Sequence, residues 1–187
     1  MTSKTVTKLP LAPGKWELDP SHSNIGFAIR HLGVSKVRGR FAQLEGSLQI
    51  AENSGDHSVA ATVGLGSIDT GNADRDTHIR GADFLNVEKR PTMTFRSTRV
   101  RITNDDGEQG QLDGELTIGG VTQPITFDVE FGGVQTSVVD GLPHAGFEAT
   151  GQLRRRDFGL HFGAGEAVLG DRIAIELDVQ FIEPQHT

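Results

Sequence analysis

The chain has 187 residues, a formal charge of −7 at pH 7, 24 glycines and no cysteine. An acidic balance of this kind lacks the basic footprint that nucleic-acid binding needs, and the missing thiols exclude disulfides and thiolate chemistry. No apolar run approaches the roughly 18 residues of a membrane-spanning helix, and the length suits one domain.

Residues 1–15 read as a flexible polar tail. Leu9, Pro10, Leu11, Ala12 and Pro13 form its only apolar run, too short and proline-rich for the core of a secretory leader, about 7–15 residues. A cytoplasmic protein is therefore expected, with a single domain over residues 16–183. Strands are predicted at about 16–19, 23–31, 40–52, 57–69, 92–103, 110–118, 123–138, 144–155 and 172–182. Between the first two, Asp19, Pro20, Ser21, His22 and Ser23 hold the residue types of a hydrolase triad. Neighbours on extended chain point to opposite faces, so a turn with side-chain-to-backbone bonds is the better reading. His31 to Arg38 is read as one helical turn. Asn72 to Asn86 is read as a short helix, with Asp74 and Asp76 early, Ile79, Ala82 and Phe84 at roughly helical spacing, and Pro91 beyond. Capping and dipole complementation account for the two aspartates more simply than metal binding with His78 does. No metal or cofactor is expected.

The strands themselves alternate. Ile173, Ile175, Leu177, Val179 and Phe181 interleave with Ala174, Glu176, Asp178 and Gln180. Ile125, Phe127, Val129 and Phe131 do so with Thr126, Asp128 and Glu130, and Leu44 to Ile50 and Val59 to Leu65 repeat the pattern. Period-2 alternation gives each strand one apolar face, which must be buried. A meander of long strands with little helix predicts an all-β fold, an extended antiparallel barrel of about eight strands with one or two short helices. Ile25, Phe27, Ile29, Val63, Leu65, Phe95, Phe127, Val129, Phe147, Ile175 and Leu177 are its candidate inner wall. Two fillings stay open: a core packed with side chains, or a dry lumen for an apolar guest. Small residues at Gly26, Gly46, Ala61, Gly114, Ala149 and Gly151 favour space. Arg154 and Arg156 would share a strand face at the chain's exit from the barrel, with Arg155 facing the other way. They are read as a solvated rim or as donors to a polar head group, with His31 and His78 as alternatives.

Five ordered motifs carry a resemblance. Trp16, Leu18, Asp19, Pro20, His22, Ser23, Ile25 and Phe27 lead into the unbroken run from Arg30 to Phe41. Arg75, Asp76, His78, Arg80, Asp83 and Phe84 follow, then Pro91, Phe95 and Ser97. Gly114, Leu116, Thr117, Ile118, Gly120, Val121, Thr122 and Pro124 come next, and Arg155, Asp157, Phe158 and Gly159 close the series. Over residues 16–182 the chain resembles YceI-like proteins. The resemblance implies a lipocalin-like barrel that binds, sequesters or transports a polyisoprenoid, such as a quinone, or another long-chain amphiphile, without catalysis. Transient membrane contact and a homodimer are left open. Where the pattern has Asn before Arg155, this chain has Arg154, and the leader of many members is not seen. Two other classes compete: an enzyme using His22, His31, Asp76 and His78 on a small hydrophobic substrate, and a partner-binding stress-response barrel with a filled core.

Overall fold

A computed structural model describes residues 8–161, 165 and 167–185. Its strands are β1 (Gly14–Leu18), β2 (Asn24–His31), β3 (Ser35–Phe41), β4 (Leu44–Ile50), β5 (Ser58–Gly64), β6 (Ile68–Asp69), β7 (Thr92–Ile102), β8 (Gln109–Ile118), β9 (Val121–Thr136), β10 (Pro143–Arg154) and β11 (Leu169–Ile182). The α-helix α1 (Ala73–Arg80) lies between β6 and β7. The eleven segments behave as eight strands. β1 pairs with β4 while β2 pairs with β3, and β3 pairs with β6 while β4 pairs with β5, so three long strands are each interrupted once. Every neighbour is antiparallel, and Glu17 with Ile182 and Leu18 with Phe181 join first strand to last. The result is a closed eight-stranded antiparallel barrel. Closure removes the edges that an open sheet would expose.

Local chemistry sets the interruptions. Pro20 has no N–H for a ladder, and a 3₁₀ turn, Pro20–His22, breaks the first strand. Asp19 accepts from the Ser21 N–H at 2.9 Å and pairs with the His22 ring at 2.7 Å. The segment is thus a turn, with no nucleophile relay. The helical turn expected from His31 to Arg38 is absent. Leu32 and Gly33 both have positive φ, 53° and 69°, which makes a tight hairpin of β2 and β3. Val37, Gly39 and Phe41 carry the period-2 signal there, masked in the sequence by the flanking cations. The predicted helix over 72–86 is shorter: Asn72 caps α1 by accepting from the Arg75 N–H, and Gly81 ends it. Asp74 and Asp76 stand in the first turn as expected, and Asp76 is buried and accepts from the Thr70 N–H and hydroxyl, so it also anchors the helix to β6.

The packed chain begins before residue 16. Leu11 is buried against Trp16, whose indole N–H donates to Ala12 O at 2.9 Å, and β1 starts at Gly14. Of the tail expected over 1–15, Leu9, Leu11 and Ala12 instead pack on the barrel and Gly14 and Lys15 belong to β1; residues 1–7 lie outside the described residues. The core has two poles. Leu65, Ile68, Leu116, Ile118, Phe127, Phe158 and Leu160 pack near α1, while Leu11, Trp16, Leu48, Ile50, Ala145 and Phe181 pack at the distal end.

The seam near the first strand's break is fastened by ionisable groups. His144 on β10 bonds Asp140 at 2.9 Å and lies 3.8 Å from Asp19. The Asp140 bond, with help from Gln180 and the Asp19 charge and against burial, raises the His144 imidazole above its ordinary value. Burial alone would raise Asp19, but bonds from His22 and the Ser21 N–H, and the two imidazole charges, outweigh it and hold the carboxyl low. A raised histidine stabilises fully below its unfolded pKa, about 6.5, and loses that contribution as pH rises through its folded pKa. A lowered carboxylate stabilises above its unfolded value, about 3.9, and loses this as pH falls through its folded pKa. His144→Gln should therefore lower the melting temperature more at pH near 5.5 than near 8.5, between those two limits. Equal losses at both pH values would show that His144 acts by packing alone.

Candidate functional site

The space between the two poles is a cavity of about 580 Å³. Its lining runs from His31, Arg75, His78, Leu160 and Leu169 at the α1 end to Leu9, His57 and the β7–β8 turn at the distal end. The volume lies inside the range of about 300–1,000 Å³ typical of small-molecule sites. Aliphatic and aromatic side chains make most of the wall, because the alternating strands turn their charges outward.

All eleven wall residues read from the sequence line this cavity: Ile25, Phe27, Ile29, Val63, Leu65, Phe95, Phe127, Val129, Phe147, Ile175 and Leu177. His31 and His78 line it as well, His78 against the edge of Phe84 at 4.6 Å between ring centroids. Arg154 and Arg156 do not. Arg154 ends β10 on the outer surface, and Arg156 sits exposed in the 3₁₀ turn Arg155–Phe158, so they share no strand face toward the cavity. The strand ends before the alternation can apply. Their neighbour Arg155 is the buried one, 0% exposed, and donates to the carbonyls of Leu160, His161, Leu169 and Gly170 at 2.9–3.0 Å. Gly163 and Ala164, which do not continue into the Gly-Lys-Ser/Thr of a phosphate loop, lie outside the described residues.

The small residues do not all leave space. A Cβ on Gly39 would stand 2.4 Å from the Phe27 ring, on Gly114 2.4 Å from Phe95, and on Gly151 2.7 Å from Phe127. Each ring lies across a glycine on a neighbouring strand, which lets a bulky side chain hug the wall. Gly26 pairs with Glu176 and Arg40, both outward positions, so its missing side chain does not widen the lumen. Phe95 and Phe127 meet edge to face at 5.6 Å, and Phe147 lies between Phe131 and Phe181 at 5.1 and 6.0 Å.

His57 was not singled out by the sequence reading, though it continues the inward series Val59, Ala61, Val63, Leu65. It is 5% exposed, lines the cavity, and accepts at Nδ1 from the Ala51 N–H at 3.0 Å. Burial, with the Lys8 charge, pushes its imidazole down, against Asp56. A neutral ring that accepts at Nδ1 carries its proton on Nε2, and that buried atom has no partner among the described residues.

The four residues of the catalytic alternative do not converge. His22 is exposed on Asp19 at the strand break, and Asp76 is engaged with Thr70, while His31 and His78 stand at the α1 end. His22 and His31 are separated by the length of β2, about 25 Å at 3.3 Å per residue. Among the described residues no group of three or more His, Asp or Glu side chains is placed to hold a metal ion. No helix there is long and apolar enough to cross a membrane.

A closed antiparallel barrel with a charged exterior and an apolar cavity along its axis defines a lipocalin-like class of protein. Within that class the chain belongs to the YceI-like family, whose domain matches residues 16–181. It is 38% identical over 154 residues to the protein YceI of Escherichia coli O157:H7, covering 82% of this chain and 78% of that one. The crystal structure of a Campylobacter jejuni YceI protein superposes with a TM-score of 0.73 at 32% identity, covering 84% of this chain and 91% of that one. A polyisoprenoid binding domain from Saccharophagus degradans has the same fold, with a TM-score of 0.66 at 15% identity over 90% of this chain and 98% of that one.

Proposed function

We propose that this protein binds an isoprenoid or similar long-chain amphiphilic lipid, with the apolar chain held along the barrel axis, and that it stores or carries that lipid without transforming it. The observation that carries the reading is the cavity of about 580 Å³ walled by inward apolar side chains from all eight strands. The polyisoprenoid binding domain of the same fold supports it, as does the dispersal of His22, His31, Asp76 and His78. Burial supplies the affinity. At about 0.8 kcal/mol per buried CH₂, each five-carbon unit contributes roughly 3–4 kcal/mol gross. A few units would pass the practical ceiling of about 18–21 kcal/mol, so chain ordering and competition from the membrane must cancel most of the gain. Cavity length rather than contact strength then sets chain-length preference.

The test is organic extraction of protein purified from cells, followed by mass spectrometry. Release of a long-chain species at close to one per barrel is expected. Repeated recovery of barrels with no extractable lipid, and no uptake of added polyprenyl or quinone probes, would overturn the carrier reading.

A further inference from the structure

We propose that the α1 end of the barrel docks on an anionic membrane surface, through the tip of the β2–β3 hairpin and a basic patch on the strands beside it. The proposal rests on the carrier reading, since it supplies the route by which a water-insoluble chain enters and leaves the barrel.

The first observation is apolar exposure. Leu32 and Val34 at the hairpin tip are 54% and 82% exposed, and Val168, which holds the Leu32 N–H at 2.9 Å, is 46% exposed. Leu32 also has a positive φ of 53°. Asn or Gly would serve such a turn better, so the turn's own geometry does not call for a leucine presented to solvent. His31 and Val168 line the cavity. The exposed tip therefore borders the site.

Charge is the second observation. Arg30 and Lys36 face one another across the outer side of the hairpin, with Arg38 next on β3. Arg154 and Arg172 are direct neighbours across β10 and β11. Arg30, Arg154 and Arg172 surround a surface cleft of about 330 Å³ in which Asp171 is the one carboxylate. Its Oδ1 is already taken by the Arg156 N–H. None of Arg30, Lys36, Arg38, Arg154 and Arg172 has an ion-pair partner among the described residues. Five cations thus lie on four adjacent strands of a chain whose formal charge is −7.

The opposite end makes the comparison. Val138 and Val139 are even more exposed, 101% and 91%, so exposure alone would not choose between the ends. The three distal turns, however, carry Glu52, Asp56, Asp105, Asp106, Glu108 and Asp140. At the α1 end the connection from Asn72 to Pro91 is neutral, four carboxylates against four Lys and Arg. The barrel is therefore polarised along its axis. An anionic surface would attract the hairpin end, repel the distal end and so orient the barrel with the hairpin down. Basic residues around exposed apolar ones fit that interface better than an acidic protein groove, because three aliphatic side chains at a tip can enter the headgroup layer.

Because the chain has no cysteine, Val34→Cys and Val138→Cys each accept a single environment-sensitive dye. With vesicles of phosphatidylcholine plus phosphatidylglycerol, the dye at position 34 should shift to the blue and the dye at 138 should not. Vesicles of phosphatidylcholine alone, or high salt, should weaken the shift. In co-sedimentation, Leu32→Asp with Val34→Asp should abolish vesicle binding, and each of Arg30→Gln, Arg154→Gln and Arg172→Gln should weaken it about five-fold, the effect of one cation near an anionic surface. Val138→Asp with Val139→Asp should leave binding unchanged. Absence of vesicle binding by the unaltered protein, or equal shifts at both ends, would overturn the proposal. Extractable lipid measured on the same folded variants keeps the two readings apart: docking can fail while the barrel still carries lipid.

Discussion

Phe127→Asp is expected to leave most of the protein unfolded at room temperature, while Asp128→Asn beside it changes stability by no more than about 0.5 kcal/mol. Phe127 is 5% exposed, meets Phe95 edge to face, and covers Gly151 on the next strand. Removing such a ring costs about 3–5 kcal/mol, and a carboxylate in that wall adds the cost of an unpaired buried charge. The sum is comparable with the whole stability of a domain, about 5–15 kcal/mol. Asp128 points outward and accepts only an exposed bond from Gln111 at 3.0 Å. Phe127→Ala isolates the packing loss, and should fold with stability reduced by about 3–5 kcal/mol. Urea unfolding followed by tryptophan fluorescence measures all three, since Trp16 is the single reporter and is 1% exposed in the distal pole. Similar midpoints for Phe127→Asp and Asp128→Asn would mean that β9 does not turn Phe127 inward.

That contrast was legible in the sequence because a strand's period is two, so one inward residue fixes the rest. Ile25, Phe27 and Ile29 on one strand and Ile175 and Leu177 on its neighbour needed nothing more, and all line the cavity. The same rule carries on to His31 and His57, at positions where apolar residues end but alternation does not. His57 opens the strand predicted over 57–69, but a lone histidine there adds no apolar signal to the alternation. Where the regular period stops, the reading fails. Arg154 and Arg156 looked like strand neighbours two apart, but β10 ends at Arg154 and the next four residues wind into a 3₁₀ turn that swings Arg155 inward. The glycines misled for a different reason. Space beside Gly114 or Gly151 is filled from a neighbouring strand, and which ring lies across which glycine depends on cross-strand register, which sequence spacing along one strand does not contain. Leu9 and Leu11 likewise looked like part of a polar tail because the surface that buries Leu11, around Trp16 and Ile50, exists only once the barrel has closed.

Arg155→Met should cost about 3 kcal/mol or more, since it takes a charged donor away from several carbonyls at once, and its effect should concentrate at the α1 end. The guanidinium spans two separate stretches of chain: Leu160 and His161 just after the 3₁₀ turn, and Leu169 and Gly170 where β11 begins. The fork of N–H groups on one arginine reaches all four carbonyls, at the place where the pairing of β11 with β2 is irregular. Without it the buried Leu160 carbonyl loses a donor, a penalty of about 1–3 kcal/mol before relaxation, and the three part-buried ones lose theirs at smaller cost. Relaxation must then come from those two stretches, which contribute Leu160 and Leu169 to the cavity lining. Lysine has the charge but not the planar fork, so Arg155→Lys should recover only part of the loss. Hydrogen exchange should report faster exchange at the Leu160 and Leu169 amides in Arg155→Met, with the β4–β5–β7 ladder on the far side of the barrel unchanged. Arg154→Gln and Arg156→Gln, exposed on either side, should alter unfolding by less than about 0.5 kcal/mol. If Arg155→Met proves no less stable than those two, the four carbonyls are being satisfied in some other way and the α1 end does not depend on this side chain. If instead stability falls while exchange rises evenly around the barrel, Arg155 supports the fold as a whole. A loss confined to the α1 end, together with weaker lipid retention, would establish that one buried cation holds the frame of the cavity at that end.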